Sequence, residues 1–245
     1  MKRIFECGFT LAEVLITLGI IGVVAALTIP SLLHYFKIKE LENSFKKTDS
    51  LIQQALKMTA NDLELDSSDL NTMFNIKHDG AEDEMAEVAK VFASQFTGAT
   101  RIDYLKSPLR NDNKSFFHYS INSFTTGKRE RSYWQAISSN FLILGSGTLL
   151  TLPYYQGSGT NASSMLIFVD TNGPSRGPNR WGYDVFYYIS NNNYFVNQCT
   201  PYVRDTYATM GCYRFAHKNM NPYDNSIPYW QSLYKDEKWW MNIKK

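Results

Sequence analysis

The sequence contains one apolar run that is long enough for a helix to cross a lipid bilayer. It extends from Phe9 to Leu33, and its single charged residue is Glu13. No formally charged residue occurs between Val14 and Phe36. Since about 20 apolar residues in a helix span the hydrocarbon core, the run predicts a membrane helix. A short basic leader, residues 1–8, precedes it, and a domain of water-soluble composition follows.

Glu13 is unusual for a plain membrane anchor. A charged side chain inside a membrane helix costs about 3 kcal/mol unless it is paired or close to the interface. If the chain were cut after Gly8, Phe9 would carry a free amino group about one helical turn before Glu13. A carboxylate in the first turn also suits the helix dipole. In a stack of identical helices, Glu13 could pair with the amino terminus of a neighbouring subunit and fix the axial register.

The segment Gly8-Phe9-Thr10-Leu11-Ala12-Glu13 and the apolar run after it resemble the prepilin motif of type IV pilins and type II secretion pseudopilins. The resemblance implies cleavage by a prepilin peptidase between Gly8 and Phe9, N-methylation of Phe9, and the register role for Glu13. It also places Pro30 where such pilins often carry a proline, which removes a helix hydrogen bond and kinks the helix.

A secretory signal peptide and a plain single-pass anchor are the alternative interpretations. A signal peptide is cut after its apolar stretch, beside small residues, and Ala25-Ala26-Leu27 is a weak match to such a site. A plain anchor leaves Glu13 and the order of the motif residues unexplained. We therefore expect a pilin-like subunit.

The charges around the helix predict its orientation. Lys2 and Arg3 precede the apolar run, and the positive-inside rule keeps such an end in the cytoplasm. We expect three segments: a leader (1–8), a transmembrane and filament-core helix (9–36), and an extracytoplasmic domain (37–245). The expected location is the bacterial cytoplasmic membrane, single-pass, and then a pilus or pseudopilus filament.

The helical pattern continues beyond Pro30 as an amphipathic half-helix over residues 37–58, so that one helix runs from Phe9 to about Met58. A free coiled coil would fit the same pattern, but the apolar stripe is short and a large domain follows it. The predicted buried stripe comprises Ile38, Leu41, Phe45, Thr48, Ile52 and Ala55. The other faces carry Lys37, Lys39, Glu40, Glu42, Lys46, Lys47 and Asp49.

The sequence after the long helix predicts a second helix and an antiparallel sheet, so that the whole chain has an α+β fold. The helix covers Glu82 to Phe96. The strands are Phe116–Ile121, Phe141–Leu144, Thr148–Leu152, Met165–Asp170, Asp184–Ile189 and Tyr194–Asn197, separated by turn residues. The resemblance to pilins implies the same architecture, with the amphipathic half of the long helix packed across the sheet.

The loop between the strands that end at Asp170 and begin at Asp184 is a candidate cation site. Oxygen atoms of Asp170, Asn172 and Asp184 could bind Ca²⁺, and the resemblance adds that major pseudopilins carry calcium in a comparable late loop. The spacing is not that of an EF-hand, and no glutamate closes the loop. The alternative is a hydrogen-bonded turn, because Asn, Asp, Gly and Pro favour turns for independent reasons.

The cysteines fit an extracytoplasmic domain. Cys7 leaves with the leader if the chain is cut, and Cys199 and Cys212 remain as an even pair in an oxidising compartment. A bridge between them would contribute about 3 kcal/mol in the chain-entropy model. The resemblance supports it, since many pilins carry a disulfide-bounded loop near the C terminus. The spacing of the pair does not fit a zinc site.

Other function classes find little support. A net charge of +2 gives no general reason to expect nucleic acid as a partner, and the GxSxG, P-loop, HExxH and Rossmann motifs are absent from the sequence. The aromatic side chains of the tail, residues 202–245, either pack on the domain, which we favour, or form a surface that binds sugars or stacks on bases. We therefore expect a non-enzymatic filament subunit, and the alternative is a minor pilin that binds DNA or surface glycans.

The partners implied by the resemblance are other pilin or pseudopilin subunits, the prepilin peptidase, an inner-membrane platform protein and an assembly ATPase. Secretion pseudopilus and surface pilus both remain open, as do the roles of major and minor subunit.

Overall fold

The computed structural model of the chain describes residues 9–65, 81–102, 141–156, 164–189, 199 and 212–234. Within this part the architecture is α+β. The helices are α1 (Leu11–Asp62), α2 (Ala81–Ser94), α3 (Cys212–Lys218) and α4 (Tyr229–Tyr234). The strands are β1 (Thr100–Ile102), β2 (Phe141–Ile143), β3 (Leu149–Thr151), β4 (Tyr154–Gln156), β5 (Ser164–Asp170) and β6 (Val185–Ile189).

Helix α1 dominates the molecule. Its 52 residues make a rod about 78 Å long at the standard helical rise. It ends one turn beyond the predicted limit near Met58, because Thr59 and Ala60 are still buried against the domain. The Thr59 hydroxyl donates to the Ala55 carbonyl at 2.7 Å, so its burial leaves no polar group unsatisfied.

The predicted stripe of the amphipathic half is confirmed: Ile38, Leu41, Phe45, Thr48, Ile52 and Ala55 are all buried.

One assignment on the other faces of this half was wrong. Glu42 is buried and not solvated, and its carboxylate accepts from Lys39 at 2.8 Å and from Lys46 at 2.6 Å. Burial alone would raise the pKa of Glu42, but these two lysines hold it below its usual value. The residue can therefore lie on the buried face because its own helix supplies two counter-charges.

The sheet is antiparallel throughout its described strands, in the order β1-β2-β3-β5-β4, with β6 pairing with β5 as well. Four predicted strands are confirmed to within a residue or two, as β2, β3, β5 and β6. The predictions at 116–121 and 194–197 lie outside the described residues. Strands β1 and β4 were missed, because three residues are too few to show a period and Pro153 directly precedes β4.

The core forms where α1 crosses the sheet and the C-terminal helices close over it. Phe45 of α1 lies with its ring centroid 4.7 Å from Phe186 of β6 and 5.3 Å from Trp230 of α4. Tyr213 of α3 completes the cluster at 5.6 Å from Phe45. Helix α2, predicted as Glu82–Phe96, contributes the buried Val88 and Phe92. The second half of α1, from Ile38 onward, is thus part of the domain core.

The predicted disulfide is confirmed. Cys199 and Cys212 are bonded and buried. Because Cys212 is the first residue of α3, the bridge ties the start of this helix to the chain that follows β6.

Candidate functional site

The first half of α1 is the most exposed apolar surface in the described part of the chain. From Phe9 to Phe36 every residue is exposed except Ala25, which is half-buried. Phe9 is 88% exposed and Leu27 is 75% exposed. The helix is long and apolar enough to cross a membrane, and none of its most apolar 18-residue stretch is buried inside the domain. That last observation separates it from the core helix of a soluble protein, and an apolar surface of this size requires a membrane or a partner.

Two threonines in this half bond back to their own helix. Thr17 donates to the Val14 carbonyl at 2.9 Å, and Thr28 donates to the Val24 carbonyl at 2.9 Å. Hydroxyls satisfied in this way can face lipid, where no water is present to replace the hydrogen bond. The helix also continues through Pro30 without interruption. The kink at Pro30 stays a prediction.

Glu13 and Thr10 form a capping box at the start of α1. The Glu13 Oε2 atom accepts from the Thr10 backbone N–H at 2.8 Å and from the Thr10 hydroxyl at 2.7 Å. In return the Glu13 N–H donates to Thr10 Oγ1 at 3.3 Å. This contact with Thr10 was not among the interactions expected for Glu13, which were a neighbouring subunit's amino terminus and the helix dipole. The signal that could have found Thr10 is its spacing, because Ser or Thr followed three residues later by Glu is typical of a helix start.

The predicted processing site borders the described residues. Phe9 is the first residue described, and Gly8 lies outside. The peptide bond between them and the N-methylation of Phe9 therefore stay predictions.

The structure brings the three predicted cation ligands into one buried loop. Asp170, Asn172 and Asp184 are all buried. Both carboxylates are already engaged by backbone amides: Asp170 Oδ1 accepts from Gly173 at 2.8 Å, and Asp184 accepts from Asn179 and Arg180 at 2.8 and 2.7 Å. These contacts are those of a hydrogen-bonded turn, the alternative interpretation of the loop.

Three further oxygens of this loop have no hydrogen-bond partner among the described residues. They are the buried Oγ1 atom of Thr171 and the buried Oδ1 atoms of Asn172 and Asn179. Oxygen atoms suit a hard cation such as Ca²⁺, but such sites take six to eight ligands with several charges. The described residues contain no group of three or more His, Cys, Asp or Glu that could hold a metal. Calcium at this loop stays a prediction.

Asp184 makes the stability of the domain depend on pH. Burial raises the pKa of its carboxyl from 3.8 to about 6, against the opposing hydrogen bonds from Arg180 and Asn179. At a pH between these two pKa values, the Asp184 carboxyl is therefore protonated in the folded chain and ionised in the unfolded chain. We expect the free energy of unfolding to fall by about 2 kcal/mol as the pH rises from about 4 to about 6.

Chemical denaturation of the full chain in detergent at several pH values measures this dependence. The control is Asp184→Asn, which is less stable at pH 4 because one amide loses its acceptor, but whose stability should change less over the same range. Equal slopes for the two proteins would contradict the assignment to Asp184.

A second polar cluster joins α1 to α3. Tyr213 and His217 of α3 both contact Asp49 of α1: the Tyr213 hydroxyl donates to Oδ1, and His217 Nδ1 lies 2.8 Å from Oδ2. Burial and the Asp49 charge raise the pKa of Tyr213 well above its usual range. The sequence placed Asp49 on a face outside the apolar stripe, and the structure shows that it is half-buried. The cluster fastens the disulfide-bonded helix to the long helix.

The described aromatic residues of the C-terminal region serve packing. Tyr213, Tyr229 and Trp230 are buried, and Phe215 and Tyr223 lie against the core. The Tyr229 hydroxyl donates to the Gly182 carbonyl at 2.6 Å, so that even its polar end is used inside the domain.

No protein-family model, curated protein or solved structure matches this chain. Its function is therefore inferred from its own residues.

Proposed function

We propose that this chain is a structural subunit of a type IV pilus or a type II secretion pseudopilus. A prepilin peptidase would cut it between Gly8 and Phe9, and it would assemble into a filament through the first half of α1. The role is mechanical and needs no catalytic residue. The observation that carries the proposal is the continuous α1, whose first half up to Phe36 is exposed and mostly apolar, and whose second half packs one face into the domain core.

This division of α1 supports both states that such a subunit needs. In the membrane, the exposed half would be covered by lipid. In a filament, the same surface would be covered by the equivalent helices of other subunits. Because α1 is one uninterrupted helix, a force on the apolar half would pass directly to the domain.

The geometry at Glu13 is compatible with pairing between subunits. Both hydrogen bonds from Thr10 go to Oε2, and Oε1 makes no hydrogen bond within the described residues. The proposed partner for Oε1 is the amino group of Phe9 in a neighbouring subunit after cleavage. This pairing would cancel two charges in an apolar filament core, where an unpaired charge is strongly unfavourable.

The proposed partners are other pilin or pseudopilin subunits, the prepilin peptidase, an inner-membrane platform protein and an assembly ATPase. The proposed location is the bacterial cytoplasmic membrane with the N terminus inside, and then the filament.

The intact mass of the chain recovered from membranes tests the proposal. With an active prepilin peptidase we expect loss of residues 1–8 and the gain of one methyl group. Without the peptidase, and in a Gly8→Val variant made with it, we expect the full-length mass. The variant serves as a matched control because it changes only the residue before the cut.

Two other masses would contradict the proposal. A chain that stays uncut beside an active peptidase would make α1 a plain anchor. A cut near Ala26 would make the apolar run a signal peptide.

Calcium is a further element of the proposed subunit, at Asp170, Asn172 and Asp184. A bound cation would keep Asp184 ionised, so the test repeats the pH series above with added Ca²⁺ and with a chelator. If calcium binds, it raises the free energy of unfolding near pH 7 and Asp184→Asn removes the increase. Identical curves with calcium and with chelator would reject the site.

A further inference from the structure

The polar cluster that joins α1 to α3 has a defined direction of hydrogen bonding. The Gln53 amide donates to the Tyr213 hydroxyl at 3.3 Å, and this hydroxyl in turn donates to Asp49 Oδ1. The second carboxylate oxygen, Oδ2, lies 2.8 Å from His217 Nδ1. Because an ionised carboxylate only accepts hydrogen bonds, Nδ1 carries the proton in this contact. Each oxygen of Asp49 therefore has one donor from α3.

The other ring nitrogen of His217, Nε2, is where a further proton can bind. It makes no hydrogen bond within the described residues. The side chain of His217 is 46% exposed, whereas that of Asp49 is 14% exposed. A proton from solvent can therefore bind Nε2 while the Nδ1 contact stays in place. The neutral hydrogen bond then becomes an ion pair with a half-buried carboxylate, and histidine is the side chain that ordinarily gains its charge between pH 5 and 8.

On α1, the charge that faces His217 is that of Asp49. Lys46 lies one turn before Asp49, but its Nζ is held by Glu42 at 2.6 Å. Strand β6 and helix α4, which also pack against α3, contain no Asp, Glu, Lys, Arg or His. Burial raises the pKa of Tyr188 of β6 above its usual value, so this side chain stays neutral over the same range.

On α3 itself, two cations oppose the protonation of His217. Arg214 lies one turn before it and Lys218 directly follows it, and both are exposed, so that water and salt weaken their repulsion. The position of His217 in the last turn of α3 favours a positive charge, because the carbonyl end of a helix is negative. The contact with Asp49 at 2.8 Å is the closest of these charges and therefore decides the sign.

We propose that this cluster is a pH-sensitive contact that holds α3 more tightly to α1 when His217 is protonated. Helix α3 begins at Cys212, which is bonded to Cys199, and it packs Tyr213 against Phe45 of the core. The contact thus stabilises the disulfide-bonded, C-terminal part of the domain under acidic conditions. It belongs to the domain alone and does not depend on the membrane helix, on cleavage or on filament assembly.

The sign follows from the two states of the chain. The histidinium has the Asp49 carboxylate as its partner only when the chain is folded. Folding therefore favours the protonated form, and the added stability is present at low pH and is lost as the pH rises through the titration of the histidine.

A double-mutant cycle between Asp49→Asn and His217→Gln tests the proposal, since both replacements keep a polar side chain. The free energy of unfolding of the four full-length proteins is measured in detergent at pH 5.5 and at pH 8. The cycle isolates the pair, so that the contributions of Asp184 and of the helix dipole cancel. We expect the pair to favour the folded state by about three- to fivefold more at pH 5.5 than at pH 8.

The matched control is the cycle between Asp49→Asn and Tyr213→Phe. It removes a neutral hydroxyl from the other carboxylate oxygen, so its coupling should be the same at both pH values. If the coupling of Asp49 with His217 is also the same at both, His217 acts only as a neutral donor and the inference is overturned. No coupling at either pH would overturn it as well.

Amide hydrogen exchange of the unmodified chain provides a second test that needs no folded variant. After correction for the intrinsic effect of pH, we expect the amides of α3 to gain about three- to fivefold protection at pH 5.5 relative to pH 8, compared with those of α4 as an internal reference. Equal changes in the two helices would show that acid acts on the whole domain and not through this contact, which contradicts the inference.

Discussion

Glu13→Ala is expected to lower the amount of assembled filament by at least about a hundredfold. In the proposed filament, the change leaves the amino group of Phe9 unpaired in an apolar environment. Removing one partner of a buried ion pair costs about 3–5 kcal/mol, and about 1.4 kcal/mol corresponds to a factor of ten in an equilibrium. The measurement is the ratio of filament to membrane-bound subunit, by shearing and sedimentation, in cells that contain the assembly machinery.

The capping box at the start of α1 complicates this experiment, because Glu13 also has a partner in its own chain. Two variants separate the roles. Glu13→Gln keeps an acceptor for Thr10 but removes the charge, and should fail like Glu13→Ala. Thr10→Val removes the hydroxyl but keeps the Glu13 charge, and should still assemble, with helix stability reduced by about 1 kcal/mol.

The opposite pattern would reject the pairing. If Glu13→Gln assembles normally while Thr10→Val does not, the carboxylate acts as a helix cap and the axial register has another origin. Normal assembly of Glu13→Ala would leave α1 as an anchor that locates the domain at the membrane.

The features that the sequence predicted correctly depend on local periodicity. The buried stripe of α1 follows from residues spaced three and four apart, and β5 follows from a continuous apolar run with Asp170 at its end. Such patterns reflect a single buried face, which a residue and its near neighbours determine. The Cys199–Cys212 disulfide could also be predicted from the sequence, because these are the two cysteines that remain once the leader is removed.

The features that were missed depend on partners far away in the sequence. Asp49 looks solvated along the helix, and its contacts Tyr213 and His217 lie more than 160 residues later. Glu42 looks equally solvated, and only the packing of α1 shows that its face is covered. At the candidate cation loop, the sequence identified the three side chains, but their backbone donors at Gly173, Asn179 and Arg180 depend on how the loop folds.

The second large effect is expected in the core, where Phe45→Ala should destabilise the domain by about 3–5 kcal/mol. Phe45 is 2% exposed and its ring contacts Phe186, Tyr213 and Trp230. Truncation removes apolar area and leaves a cavity where α1, the sheet and the two C-terminal helices meet. For a domain of this size we expect the unfolding temperature to fall by roughly 10 °C, measured by near-ultraviolet circular dichroism of the full chain in detergent.

The same helix provides a matched control in Phe36→Ala. Phe36 lies nine residues before Phe45 on α1 and is 57% exposed, so the identical truncation should change domain stability by less than about 0.5 kcal/mol. The pair tests whether α1 is divided between two environments, with one half in the core and the other facing lipid or other subunits. Equal destabilisation by the two variants would mean that the first half of α1 also packs on the domain. The exposed surface on which the proposed function depends would then not exist.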